Sequence, residues 1–416
     1  MVSAIESEIY AWALLLVVPV LCFLIANDRK LLFLILIGAW VGRVVLALTH
    51  NYLMDLPETQ FDAQNFQAWA YQGAQSGLSG AVEHFRTGAY IYPSLVSFVF
   101  VLLGPSQLLM QAINVALGVA IVFLTYRLSF LLWGNEKGAL LTALVTAFWP
   151  SLMLYSSITM REAPVVIFMM FSVIHAVQWV DRQKILNGVA AVLFMFVAML
   201  FHTGMAAGML ALGVIGLGVL VRAYLRLPKS LYFVKLTPLL LFGVVIVVTV
   251  IVTGIGLEKI RGGIVDLGIE VLATQQENVA QSRARYLDTL IVTSWADLAL
   301  HAPIRIVYFL FSPMPWDISG GADLFGFFDA FLYFALTLLL IFNLRILKSK
   351  GGLTVFVFLL VSIYVFSFVT SNSGSALRHR GKFAPIMICL VLPYALSRRQ
   401  NFSVQILDKP SRHAAE

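Results

Sequence analysis

The stretch SNSGSALRHRGKFAP (371–385) places Arg378, His379, Arg380 and Lys382 within five positions. Arginine offers a planar fork of N–H donors that matches paired anionic oxygens, and lysine adds a compact charge. The cluster is therefore a candidate phosphate-binding element. A carboxylate would complete the chemistry by taking a proton from a hydroxyl as it attacks. Asp62, in MDLPETQFDAQNFQAWAYQGA (54–74), follows Phe61 and opens an amphipathic stretch with Phe66, Trp69 and Tyr71. Asp55 and Glu58 lie nearby as substitutes. A second acid, Glu162, stands beside Arg161 in SSITMREAPVV (156–166), a polar pair inside an apolar hairpin where charge needs a partner or a function.

Three further residues are candidates for the anion site. His202 ends an apolar run in LFHTG (200–204), Arg86 lies in AVEHFRTGAYIYPS (81–94), and Arg43 lies within GAWVGRVVLALTH (38–50). Each has a blander reading. A lone carboxylate is more commonly a helix cap or a solvated charge, Arg161–Glu162 is equally a local ion pair, and His202 is more simply an interfacial hydrogen bonder. Arg378 alone would only grip anionic phospholipid or an acidic neighbour. Four basic-capable groups together favour the phosphate site.

These residues hang on apolar segments. The chain of 416 residues is 60% hydrophobic and 12% charged. A water-facing surface needs more polar residues than that. Runs long enough to cross the hydrocarbon lie near 9–26, 31–49, 107–126, 138–156, 164–180, 185–203, 206–221, 236–256, 322–343, 353–370 and 384–397. They lack the polar–apolar alternation of barrel strands. The fold class is an all-α polytopic membrane protein with about eleven transmembrane helices.

The short apolar pieces 90–104 and 302–316 are read as membrane-edge helices. Two long outer loops, about 50–106 and 257–321, separate the helices, and 400–416 forms a cytoplasmic tail after a transmembrane domain over 1–399. The first apolar run lacks a basic flank and a cleavage site and is read as a retained helix.

Charge sets the orientation. One side collects 17 of the 28 Lys and Arg but five of the 21 acids. That side is cytoplasmic by the positive-inside rule. Asp62, Arg86, Arg161, Glu162, His202 and the 378–382 cluster then fall on the other face, which is poor in positive charge. The expected location is the cell membrane, multi-pass, with the site on the non-cytoplasmic face. The net charge of +7 follows from loops and does not indicate nucleic acid.

Other chemistries lack their motifs. No P-loop, dinucleotide fingerprint, zinc spacing or Gly-x-Ser-x-Gly elbow occurs. The first outer loop has no Asp-x-Asp pair, so a divalent metal is not supported. Cys22 and Cys389 lie in separate apolar runs and read as small buried hydrophobes.

Four stretches resemble the GT-C superfamily of integral-membrane glycosyltransferases, near the bacterial relatives of protein O-mannosyltransferases and aminoarabinose transferases. They are FDAQNFQAWA, the run from YPSLVSFVFVLLG through SSITMREAP, APIRIVYFLFSPMPW and SNSGSALRHRGKFAP. The resemblance implies an inverting transfer from a polyprenyl-phosphate sugar donor to a glycan, lipid or protein acceptor, in envelope or exopolysaccharide assembly. It implies no required cofactor. Asp62 would match the acid that activates the acceptor, Glu162 the second outer acid, and Arg378 and Arg380 the basic residues near the donor phosphate. The chain departs from several branches in having a lone Asp62 in place of an acidic doublet, no large C-terminal soluble domain, and an extra first helix. A polymerase or ligase acting on a polyprenyl-diphosphate glycan would use the same arginines. A lipid-linked sugar flippase would bind the phosphate without breaking a bond.

Overall fold

In hydrocarbon a backbone N–H or C=O has no water to bond, so an apolar run satisfies its own groups by coiling into a helix. A computed structural model describes residues 4–57, 59–60, 62–226, 276 and 284–407. Helices account for the architecture, with no β-strand among the described residues. Seven are long and apolar enough to cross a membrane. They are α1 (Ala4–Ala26), α2 (Lys30–Tyr52), α6 (Gln107–Trp133), α9 (Glu162–Arg182), α11 (Ala206–Arg226), α14 (Gly321–Phe342) and α15 (Lys350–Val369). The protein is thus a polytopic helical membrane protein.

Shorter helices fill the gaps. The segment between α2 and α6 holds α3 (Asp62–Ala74), α4 (Gly77–Glu83) and α5 (Ile91–Leu103). Next come α7 (Glu136–Ala147), α8 (Pro150–Tyr155) and α10 (Ile185–Phe201). The later part contributes α12 (Trp295–Leu300), α13 (Ala302–Phe311), α16 (Ser373–Gly381) and α17 (Ala384–Leu407). The pieces expected at the membrane edge, α5 and α13, are both shorter than the seven long helices.

The expected span 138–156 is not one helix. It breaks between α7 and α8, where Trp149 is extended and Pro150 starts a new helix. Proline has no N–H to continue the ladder and turns the residue before it away from helical geometry. The expected span 236–256, residues 257–275 and 277–283 of the 257–321 loop, and the end of the tail lie outside the described residues.

Local signals place the boundaries. Gly134 ends α6 in the left-handed region at φ 62°, which a residue without a Cβ adopts without strain. The side chain of the next residue, Asn135, caps α7 by accepting from the Gly138 N–H at 3.2 Å. Helix α6 packs against α1, α2, α7, α9 and α17, and α9 packs against α10 and α15. Their shared core includes Leu124, Leu128, Val165, Met169, Met170, Val173, Phe358 and Ile388. Buried Ala139, Ala143 and Ala147 let α7 approach its neighbours closely. Leu16, Phe23, Leu217, Phe331 and Phe342 stay exposed, as lipid-facing positions would.

Candidate functional site

Helix α16 sets the geometry. Its start is fixed twice: the Asn372 side chain accepts from the Ser375 N–H at 3.1 Å, and the Ser373 N–H donates to the Ala284 carbonyl at 2.9 Å. Successive residues turn about 100° around the helix axis. Arg378 and Lys382 therefore share a side, while Arg380 points about 200° away from Arg378.

The contacts follow that rotation. The Arg378 guanidinium donates to the Asp62 carboxylate and lies 3.7 Å from Glu162 Oε1. Lys382 Nζ lies 3.5 Å from the same Glu162 oxygen and 3.1 Å from His379 Nδ1. The His379 ring meets the His202 ring edge to face at 5.0 Å. Arg161 stacks over Phe66 at 5.4 Å, close enough to feel Glu162, Asp62 and Arg378.

Each member is held from behind. Buried Asn114 of α6 donates to the carbonyls of Ile158 at 2.6 Å and Met160 at 2.7 Å. It thereby fixes the turn that delivers Arg161 and Glu162 to the start of α9. The Thr159 hydroxyl donates to the Ala63 carbonyl at 3.3 Å, which ties that turn to α3 and to Asp62. Glu162 sits in the first turn of α9, where the helix dipole favours a negative charge. His202 accepts from the Gly204 N–H through Nδ1 at 3.1 Å, so the neutral ring carries its proton on Nε2.

Burial shapes the charges unequally. It opposes ionisation of Arg378, but Glu162 and Asp62 outweigh it and hold the guanidinium above its ordinary pKa. Burial pushes Arg161 down, partly offset by Glu162. Lys382 falls to about 7: burial lowers it, Glu162 pulls it up, and Arg378 and Arg161 press it down again.

The structure brings together Asp62, Arg161, Glu162, His202, Arg378, His379 and Lys382. It leaves three predicted residues apart. Arg380 is fully buried on the opposite side of α16. Its Nε lies 3.2 Å from Asp329, and its other nitrogens donate to the carbonyls of Ser312 and, at 2.9 Å, of Gly326. With three partners and the Tyr333 ring at 5.7 Å, it binds α16 to α14 and is no phosphate ligand.

Arg43 does not reach the Asp62–Arg378 cluster either. It is fully buried and donates to Ser156 Oγ at 2.8 Å and to the carbonyls of Ala39 and Ala147, each at 3.0 Å. The guanidinium thus serves the Ala147 carbonyl where α7 breaks, and the Ala39 carbonyl one turn back in its own helix. Arg86 is exposed, and its Nη1 donates to the Glu83 and Phe85 carbonyls. Of the substitute acids, Asp55 lies 3.7 Å from His50, and Glu58 is outside the described residues.

Asp329 was missed, although its signal was present: an acid in the middle of the apolar run LFGFFDAFLYF must find a partner. Asn114 was missed for a different reason. A single amide in an apolar helix does not reveal which carbonyls it will serve.

Beside the Asp62–Arg378 pair opens a cavity of about 290 Å³. Gln60, Asp323, Asn372, Ser373, Ser375 and Gly326 also line it. Its polar walls can hydrogen-bond a hydroxylated ligand, and Arg378 offers the cation for an anionic one. No group of three or more His, Cys, Asp or Glu side chains suited to a metal ion occurs among the described residues.

Fold and site together define a polytopic helical membrane protein with a buried ionic cluster opening into a polar cavity. Comparison with protein-family models, curated proteins and solved structures finds no match for this chain.

Proposed function

We propose that the protein is a glycosyltransferase that moves a sugar from a polyprenyl-phosphate donor to an acceptor hydroxyl at the non-cytoplasmic face of the membrane. The observation that carries this reading is the pairing of Asp62 with Arg378 at the wall of a polar cavity. A proton acceptor and a phosphate-binding cation then stand side by side on the short helices α3 and α16, which follow the long apolar helices α2 and α15.

In the reaction Arg378 binds the donor phosphate and stabilises the charge that develops as it leaves. The acceptor oxygen forms a bond to the anomeric carbon, and the bond from that carbon to the phosphate oxygen breaks. Polyprenyl phosphate departs with the electron pair, and Asp62 takes the hydroxyl proton. Attack opposite the leaving group inverts the anomeric centre. His379 and Lys382 support the site from behind Arg378. Arg161 adds positive charge at the turn, and Glu162 orients the cations.

The architecture proposed with this activity is GT-C-like, with about eleven crossings and an outside N-terminus. The cavity lies at the small end of the range for ligand pockets. That size favours transfer of a single sugar over holding a growing glycan, the polymerase or ligase alternative. The ionisable residues around the cavity sit on short helices and at the start of α9; the buried ones inside long helices, Arg43 and Asp329, are engaged by protein partners, which favours chemistry over a flippase pathway.

The direct test incubates the purified protein with a panel of polyprenyl-phosphate sugars and measures release of free polyprenyl phosphate. Release by wild type and its loss in a folded Asp62→Asn protein are expected. Near-normal turnover by Asp62→Asn would remove Asp62 as the base, and no release from any donor would remove the activity.

A further inference from the structure

Arg378 is shared by two carboxylates of unequal standing. Glu162 has a side chain only 3% exposed, keeps Lys382 as a second cation at 3.5 Å, and does not line the 290 Å³ cavity. The Asp62 side chain is 42% exposed and lines that cavity together with Arg378. An anion entering the cavity therefore meets a guanidinium whose outward side is already taken by Asp62. Two anions crowding one set of N–H donors repel, so the newcomer gains a full contact only if Asp62 gives way.

We propose that the donor's phosphate exchanges with Asp62 on Arg378, so that donor binding itself releases the Asp62 carboxylate for proton transfer. Glu162 and Lys382 keep the arginine in position during the exchange. The inference rests on the reading of Arg378 as a phosphate ligand and adds an order of events to it. A carboxylate bound to a guanidinium is a poorer proton acceptor than one released from it. An acceptor hydroxyl arriving before the donor thus finds Asp62 engaged, and one arriving after finds it available. Glu162 becomes a positioning residue, because its contacts run to Arg378 and Lys382 and not to the cavity.

The distinguishing measurement is equilibrium binding, with no turnover involved. Farnesyl phosphate is titrated into the full chain in detergent micelles, with inorganic phosphate as a second probe that lacks the lipid. Replacing Asp62 by Asn removes the competing anion and should tighten farnesyl phosphate binding roughly five- to tenfold. Inorganic phosphate should show the same gain at lower affinity, because the competition is at the headgroup.

Glu162→Gln should weaken both probes, and unchanged binding there would overturn its anchoring role. Damage to the fold lowers affinity, so a gain in Asp62→Asn cannot come from misfolding. Equal or weaker binding by a folded Asp62→Asn protein overturns the exchange while the phosphate site stands. If neither probe binds wild type or Asp62→Asn, the phosphate reading falls and the exchange falls with it.

Discussion

Consider the substitution Arg380→Met. The Arg380 and Asp329 side chains are both 0% exposed and meet at 3.2 Å, with two carbonyls satisfying the other guanidinium nitrogens. Removing the arginine leaves the Asp329 carboxylate, among the described residues, with Ser151, whose N–H donates at 3.2 Å. Breaking one side of a buried ion pair costs on the order of 3–5 kcal/mol, because the remaining charge is stranded away from water. Asp329→Leu alone strands the arginine and should cost a similar amount. The double variant strands neither, so its loss should be well below the sum of the two singles. A coupling of about 2 kcal/mol or more is expected between groups in direct contact.

Denaturation of the four proteins in one detergent, followed by near-ultraviolet circular dichroism, would close this cycle. The same preparations assayed for donor-lipid release would show whether activity tracks the folded fraction. If Arg380→Met were as stable as wild type, or lost all activity with its stability intact, the structural role assigned to this arginine would be wrong.

Lys382 gives the pH test. It faces Glu162, Arg378, Arg161 and His379, with Asp62 and His202 beyond them. With its pKa lowered to about 7, it is charged below neutrality and neutral above. Phosphate binding should therefore weaken as pH rises through about 7, and Lys382→Met should flatten that step. Because the folded pKa lies below the ordinary lysine value of 10.5, the unfolded chain holds the extra proton between those limits. Stability from this group should thus rise with pH across that window. Asn114→Ala removes the amide donor from the Met160 carbonyl behind Glu162, while the Ile158 carbonyl keeps the Met160 N–H at 2.8 Å, and should cost about 1–3 kcal/mol, lowering turnover as the turn loosens. Gly118→Ala would put a Cβ within 2.6 Å of both Arg43 Nε and Ser156 Oγ, and should cost about 1–3 kcal/mol in thermal unfolding through overpacking.

Much of the fold could be read in advance because hydrophobic length is a one-dimensional signal. Most long helices begin and end within a few residues of the apolar runs, although α6 continues past 126 to Trp133, and α5 and α13 are short because their runs are short. The break at Trp149–Pro150 was also visible in the proline but was overridden by apolar content on both sides. The site was legible as a set of residue types on one side of the helices, and less so as contacts. Helical rotation alone would have separated Arg380 from Arg378, since two residues apart is nearly opposite. Composition gave the cluster its charge, and rotation decided which charges face the cavity. Arg43 was unreadable for a different reason. Besides the Ala39 carbonyl of its own helix, its partners are the Ser156 hydroxyl and the Ala147 carbonyl at a helix break far along the chain, and no local pattern announces them.

The nine residues of α16 and the Lys382 that caps them serve three directions at once, with Arg378 toward Asp62, Arg380 toward Asp329, and His379 with Lys382 toward Glu162 and His202. Such a segment tolerates changes of letter far better than changes of count. Deleting or inserting one residue between Asn372 and Arg378 would swing every side chain beyond it by about 100° and misdirect three partnerships in one step. Sequences descended from a common ancestor with this chain should therefore align without gaps from Asn372 to Lys382, even where the flanking helices have drifted beyond recognition.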